Sequence, residues 1–116
     1  MDLAPKRFAD TVVLHPTGRI NHVGSDGLKA ALEPFLASCA GGQDQIVLDL
    51  SALEYISSAG LRVVLVVAKQ VARSEGKFAL AAMRPEVLEL FKVSGLSSIL
   101  EIFDTPEAAT AALEAA

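Results

Sequence analysis

Short apolar runs rich in β-branched residues alternate along this chain with longer segments of helical period, and this alternation restricts the fold more than any other feature. Residues 11–17 and 45–50 have the composition of strands, and the second run is apolar at nearly every position. A strand of that kind is buried on both faces, as in the centre of a parallel sheet. The pattern predicts an α/β domain with a largely parallel sheet covered by helices.

The other predicted elements give a mixed four- to five-stranded sheet covered by about four helices. Residues 6–9 predict a short edge strand that pairs with residues 11–17, and Pro16 marks a strand end or edge because it lacks a ladder donor. Gly95 is expected to end the third helix. Further strands are predicted at residues 77–82 and within 98–103, and helices at 25–37, 58–75, 85–94 and from 106 onward.

The first helix carries two local signals. Ser25 has the side chain expected of an N-cap. Pro34 stands inside the helix, where it is expected to kink the helix or remove one backbone hydrogen bond.

Size and charge limit the classes of partner. The 116 residues suit a single domain over residues 1–116, and 52% of them are apolar. The formal net charge is −4, and Lys and Arg are scattered, so nucleic acid and an anionic membrane surface are unfavourable partners. No apolar run is long enough to span a bilayer, and the start of the chain lacks the apolar core of a signal peptide. With Cys39 as the single cysteine, these features predict a cytoplasmic protein without membrane insertion.

Residues 58–75 form the helix with the most informative pattern. Spacing places Arg62, Lys69 and Arg73 on the face away from the sheet. Two interpretations stay open: exposed valines form part of a partner surface, or the helix is packed on most of its circumference. The residues predicted to face the sheet are Leu61, Val64, Leu65, Ala68 and Ala72, and those predicted to flank the basic side chains are Val63, Val66 and Val67.

Two adjacent serines, Ser57 and Ser58, stand where this helix begins. Either can cap the helix by accepting a hydrogen bond from an orphan backbone N–H. The positive end of the helix dipole also tolerates an anion, so a phosphate fits there locally. A phosphate adds about −1.5 to −2 charge units to the surface and would disrupt a partner packed over it. The two serines therefore indicate either a simple helix cap or a switch controlled by reversible phosphorylation.

The reactive side chains do not form a catalytic or metal-binding pattern. His15, His22 and Cys39 lack the spacing of metal ligands. The pair Gly41-Gly42 is not followed by the Lys-Ser/Thr of a phosphate-binding loop. No nucleophile and base pair is recognisable. The chain is expected to bind proteins rather than to catalyse a reaction, and to need no metal or cofactor.

Three segments together resemble one family. Residues 46–61 read IVLDLSALEYISSAGL, residues 17–21 read TGRIN, and residues 91–96 read FKVSGL. In order and spacing they resemble the signature of STAS domains, specifically the bacterial anti-sigma-factor antagonists. The resemblance covers almost the whole chain and implies the STAS fold.

The resemblance also implies a partner-switching function. In that family the unphosphorylated antagonist binds an anti-sigma factor that is also a serine kinase. Phosphorylation of one serine at the helix start switches it off, and a PP2C-type phosphatase reverses the modification. The matching serine here is Ser58, with Ser57 as the alternative. The implied partner-binding residues are Asn21, His22, Ser57, Ser58, Ala59, Gly60, Arg62, Val63 and Val66.

Two positions depart from the family pattern. Ser57 and Asn21 stand where the family often has an aspartate associated with kinase recognition. The departures favour an alternative function, a non-phosphorylated STAS subunit of a transport or signalling complex. A third possibility is a small-molecule or nucleotide module with a pocket lined by residues 18–21 and 57–60. The expected oligomeric state is a monomer or a weak dimer.

Overall fold

Strands and helices alternate in the computed structural model, which describes residues 1–42 and 44–115. The strands are β1 (Lys6–Phe8), β2 (Thr11–Leu14), β3 (Gly18–Ile20), β4 (Gln45–Asp49), β5 (Leu53–Ile56), β6 (Lys77–Ala81) and β7 (Ile102–Phe103). The helices are α1 (Gly24–Leu36), α2 (Ser58–Arg73), α3 (Pro85–Val93) and α4 (Pro106–Ala115), with 3-10 turns at Ala37–Gly42 and Leu96–Ser98.

The main sheet is mixed, as predicted, and has five strands in the order β1-β2-β4-β6-β7. β1 pairs antiparallel with β2, while β2, β4, β6 and β7 run parallel to one another. The apolar strand β4 occupies the centre, because a strand flanked by two neighbours and covered on both faces must be apolar throughout. The α/β fold class and the covering helices are confirmed.

A second sheet was not predicted. β3 and β5 pair in parallel, with Ile20 opposite Ile56 and Arg19 opposite Tyr55. No strand was predicted for residues 18–20 or 53–56. The first strand instead ends at Leu14, before Pro16, and Gly18 begins the new one in a positive-φ conformation (φ 75°). Strands of three and four residues carry too little local pattern to be recognised without their partner.

Two apolar cores lie on opposite faces of the main sheet. The larger one joins alternate residues of the central strands, such as Leu14, Ile46 and Leu80, to α1, α2 and α3. The smaller one joins Val47 and its neighbours to α4. This division follows from the period of two along each strand.

One local expectation, the cap of α1, needs correction. Ser25 does not cap α1; it lies within the helix, and its hydroxyl donates to the His22 carbonyl at 2.7 Å. α1 continues through Pro34, which is exposed, as far as Leu36. Cys39, in the 3-10 turn that follows α1, is fully buried.

A bidentate ion pair connects the edge strand β1 to the sheet. The Arg7 guanidinium donates to both carboxylate oxygens of Asp44, at 3.0 and 2.9 Å. These hydrogen bonds lower the pKa of Asp44, so the carboxylate stays ionised at neutral pH. Asp44 directly precedes β4, so the pair ties the outermost strand to the start of the central one.

Candidate functional site

The candidate site lies where β3 and β5 end and two helices begin. The Ser57 amide donates to the Ile20 carbonyl at 2.8 Å, which continues the pairing of β3 and β5 to the start of α2. α1 begins four residues after Ile20, and α2 begins two residues after Ile56. The short second sheet thus places two helix N-termini beside each other.

Ile20 forms the apolar floor beneath both helix starts. A Cβ on Gly60 would lie 2.6 Å from Ile56 Cγ1 and 3.2 Å from Ile20 Cγ2, and one on Gly24 would lie 4.0 Å from Ile20 Cγ2. Glycine at position 60 therefore lets the first turn of α2 lie directly on the isoleucines. The segment with His22 and the segment with Ser58 are held over one small core.

Replacing Gly60 with alanine is expected to destabilise the protein by about 1–2 kcal/mol. Overpacking costs about 1–3 kcal/mol, which outweighs the gain of up to about 1 kcal/mol in helix propensity. The matched control is Gly27→Ala in α1, where an added Cβ meets no heavy atom within 4 Å and stability should rise. Urea unfolding of both variants gives the comparison. Equal stability changes in the two variants would contradict the close packing at Gly60.

Ser57 and Ser58 have different roles in the structure. Ser57 is the N-cap of α2, with extended backbone angles, and its Oγ accepts from the Gly60 amide at 3.2 Å. Ser58 is the first helical residue and is exposed. Within the described residues its hydroxyl has no hydrogen-bond partner. The capping role therefore belongs to Ser57, and the hydroxyl of Ser58 is open to solvent.

Asn21 and His22 lie in the turn before α1, and both are exposed. The Asn21 side-chain oxygen accepts from the Gly24 amide at 2.8 Å, so Asn21 supplies the capping interaction that was assigned to Ser25. Ile20 links this turn to the start of α2, so the structure brings together the predicted residues of the two segments.

The predicted binding residues of α2 differ in how far their side chains are exposed to solvent. Arg62 is exposed one turn beyond Ser58, Val66 is 37% exposed, and Val63 is half-buried against the core. The inward face differs from the prediction: Val67 was expected on a flank and is buried, while Ala72 was expected inside and is exposed. The buried residues of α2 are Gly60, Leu61, Val64, Val67 and Val71.

The comparison with family models decides the assignment. A model of the STAS domain matches residues 3–109, which include every residue of the site. The chain belongs to the STAS domain family.

Several relatives of this STAS domain are described as anti-sigma factor antagonists. It is 43% identical over 99 residues, 85% of this chain and 83% of the relative, to BtrV of Bordetella bronchiseptica, a candidate anti-sigma factor antagonist. The crystal structure of a candidate anti-sigma factor antagonist from Thermotoga maritima matches with a TM-score of 0.86 and 28% identity, covering 97% of this chain and 94% of that one. The Bacillus cell fate determinant SpoIIAA, in its phosphorylated form, shares the fold with a TM-score of 0.66 and 21% identity, over 91% of this chain and 94% of that one.

One pair of residues at this end of the STAS domain was not predicted from the sequence. The Arg19 guanidinium lies over the ring of Tyr55, 4.8 Å from its centroid. The stacking depends on the register of β3 and β5, which sets the two residues opposite each other. Residues 53–56 are too few to predict a strand on their own, so the sequence carried no signal for this pair.

Other features of the STAS domain lie outside the site. Burial raises the pKa of the Cys39 thiol to about 11, so it is a protonated core side chain at neutral pH. A cavity of about 410 Å³ lies between the β1–β2 edge and α4, with Phe8, His15 and Thr110 in its lining. Its lining includes none of the predicted binding residues.

None of the helices in the described ranges combines the length and apolar content that crossing a bilayer requires.

Proposed function

We propose that this STAS domain is an anti-sigma-factor antagonist that binds an anti-sigma factor with serine kinase activity and is switched off by phosphorylation at Ser58. The observation that carries the proposal is the exposed Ser58 hydroxyl at the first position of α2, beside the turn with Asn21 and His22. The description of BtrV as a candidate antagonist supports the general role. The proposal extends that role to a particular residue and mechanism.

The two serines are unequal as phosphate acceptors. A kinase must reach the hydroxyl and remove its proton, and Ser58 is exposed while Ser57 is half-buried and engaged with the Gly60 amide. Modifying Ser57 would also disrupt the cap of α2, which contributes about 0.5–2 kcal/mol. Ser58 is therefore the proposed acceptor. The solved phosphorylated form of SpoIIAA supports the compatibility of this fold with a phosphate.

The switch works without a change of fold. The positive end of the α2 dipole stabilises a phosphate at its first residue, so the modified domain stays folded. The added charge of about −1.5 to −2 would be buried and unpaired in the complex, where it costs binding energy. A PP2C-type phosphatase would restore binding. Because the cycle consumes ATP, we place this domain in the cytoplasm.

The test is phosphorylation by the proposed partner, an anti-sigma factor with serine kinase activity. Incubation with that kinase and ATP should add one phosphate to the intact mass of the wild type and none to Ser58→Ala. Ser57→Ala is the matched control: it should still gain the phosphate, while losing about 1 kcal/mol of stability with the cap. A phosphate that persists in Ser58→Ala and disappears in Ser57→Ala would assign the acceptor to Ser57.

A second candidate function is a STAS subunit of a transport or signalling complex that is never phosphorylated. One observation favours it: Asn21 and Ser57, at the positions where the family often has aspartates, use their side-chain oxygens as caps. A stable complex with a neighbouring gene product, combined with no phosphate on either serine, would support this function against the first.

A further inference from the structure

The exposed face of α2 has a charge unlike that of the rest of the chain. The helix contains Arg62, Lys69 and Arg73 and no acidic residue, although the net charge of the chain is −4. All three basic residues are exposed. Within the described ranges, none of them forms an ion pair or a side-chain hydrogen bond.

These charges lie on a single face that begins at Ser58. At about 100° per residue, Ser58, Arg62, Val66, Lys69 and Arg73 fall within an arc of roughly 80°, opposite the buried residues. At about 1.5 Å per residue, the face is about 22 Å long. We call these five residues the basic face of α2.

We propose that the partner binds along the whole basic face of α2 and contacts it with an acidic protein surface. This inference rests on the proposed function and extends the binding site to Lys69 and Arg73, beyond the residues assigned above. Continuity supports it, because the basic face starts at the proposed phosphate acceptor. The size of a specific interface also supports it, because about 800 Å² per partner is far more than the first turn of a helix can supply.

A folded acidic protein fits this face better than other anions do. Val66, in the middle of the basic face, is 37% exposed and offers an apolar contact that a phosphate backbone would not use. The net charge of −4 opposes nucleic acid at long range, whereas a local patch of three cations steers an acidic surface. A phosphate on Ser58 would offset at least half of the charge of the basic face. Phosphorylation would then slow association as well as disrupt the contact.

The test compares two double charge reversals with the same net charge. Lys69→Glu/Arg73→Glu reverses two charges on the basic face, and Lys6→Glu/Lys92→Glu reverses two exposed charges on β1 and α3. Association with the anti-sigma kinase is measured by stopped-flow fluorescence. The reversal on α2 should slow association about tenfold at 50 mM salt and less than twofold at 0.5 M, because screening removes the steering. The control pair should change the rate less than twofold.

The outcomes separate this inference from the proposed function. If the wild type binds and Ser58→Glu does not, while both double reversals bind alike, the inference is wrong and the proposed function stands. If the wild type does not bind the kinase, both are wrong. Sedimentation of the domain alone tests whether a second copy of this chain binds the basic face. If the domain self-associates and the α2 reversal abolishes that self-association, the proposal of a separate acidic partner is wrong. Tight binding to a DNA duplex through Lys69 and Arg73 would also overturn it.

Discussion

Ser58→Glu is expected to raise the dissociation constant for the anti-sigma kinase by about 30-fold or more, without unfolding the domain. The introduced carboxylate would be buried against the partner without a counter-charge, which costs about 2–5 kcal/mol. Arg62, four residues along α2, can pair with it, but such helix pairs contribute only about 0.2–0.5 kcal/mol. The penalty therefore dominates. Isothermal titration calorimetry gives the affinity, and circular dichroism verifies the fold.

The control for this substitution adds the same charge elsewhere. Ser98 is exposed in the second 3-10 turn, outside the proposed binding surface, and Ser98→Glu should bind within about twofold of the wild type. Ser58→Ala should also bind normally, because it adds no charge and removes a hydroxyl that forms no hydrogen bond within the described part of the domain. Equal affinity of Ser58→Glu and Ser98→Glu would show that Ser58 lies outside the interface.

Phe91→Ala is expected to cost about 3–5 kcal/mol of unfolding free energy. Phe91 is fully buried and is among the largest side chains of the core, where α3 packs against the sheets. Its removal leaves a cavity that the neighbouring elements fill only in part. A loss of that size is a large fraction of the 5–15 kcal/mol that typically stabilises a domain. Urea unfolding monitored by circular dichroism gives the value.

Val93→Ala in the same helix is the matched control for Phe91→Ala. Val93 is 79% exposed, so its truncation should change stability by less than about 0.5 kcal/mol. A loss below about 1 kcal/mol in Phe91→Ala would contradict its position in the core. The same packing explains the segment FKVSGL: Phe91 and Leu96 are buried, and Gly95 ends α3 with a φ of 82°.

The sequence could predict most of the fold because its strongest patterns are local. The apolar run of β4 predicted a central strand, and Gly95 ended α3 where expected. The family resemblance, carried by residues 46–61 and two shorter segments, is confirmed by the match of the STAS model. Of the candidate site, the sequence predicted which residues belong together but not which serine caps α2.

Tertiary structure alone decided the features that depend on contacts distant in sequence. The pairing of β3 with β5 joins strands too short to be recognised separately, and it sets Arg19 on Tyr55. The inward face of α2 was predicted correctly for Leu61 and Val64 but not for Val67 and Val71. Because the helix is apolar on most sides, packing against α1 and the sheets, rather than periodicity, selects these two valines for burial.

The sequence by itself determined the α/β class, the strands of the main sheet with their covering helices, and the serines at the start of α2, since these follow from periodicity and composition within short windows. Only the tertiary structure decided that Ser57 is bonded to the Gly60 amide while the hydroxyl of Ser58 stays free. The physical reason is that a cap depends on the backbone angles at which one strand ends and a helix begins. Those angles are fixed by the pairing of Ile20 with Ile56, which no local pattern specifies.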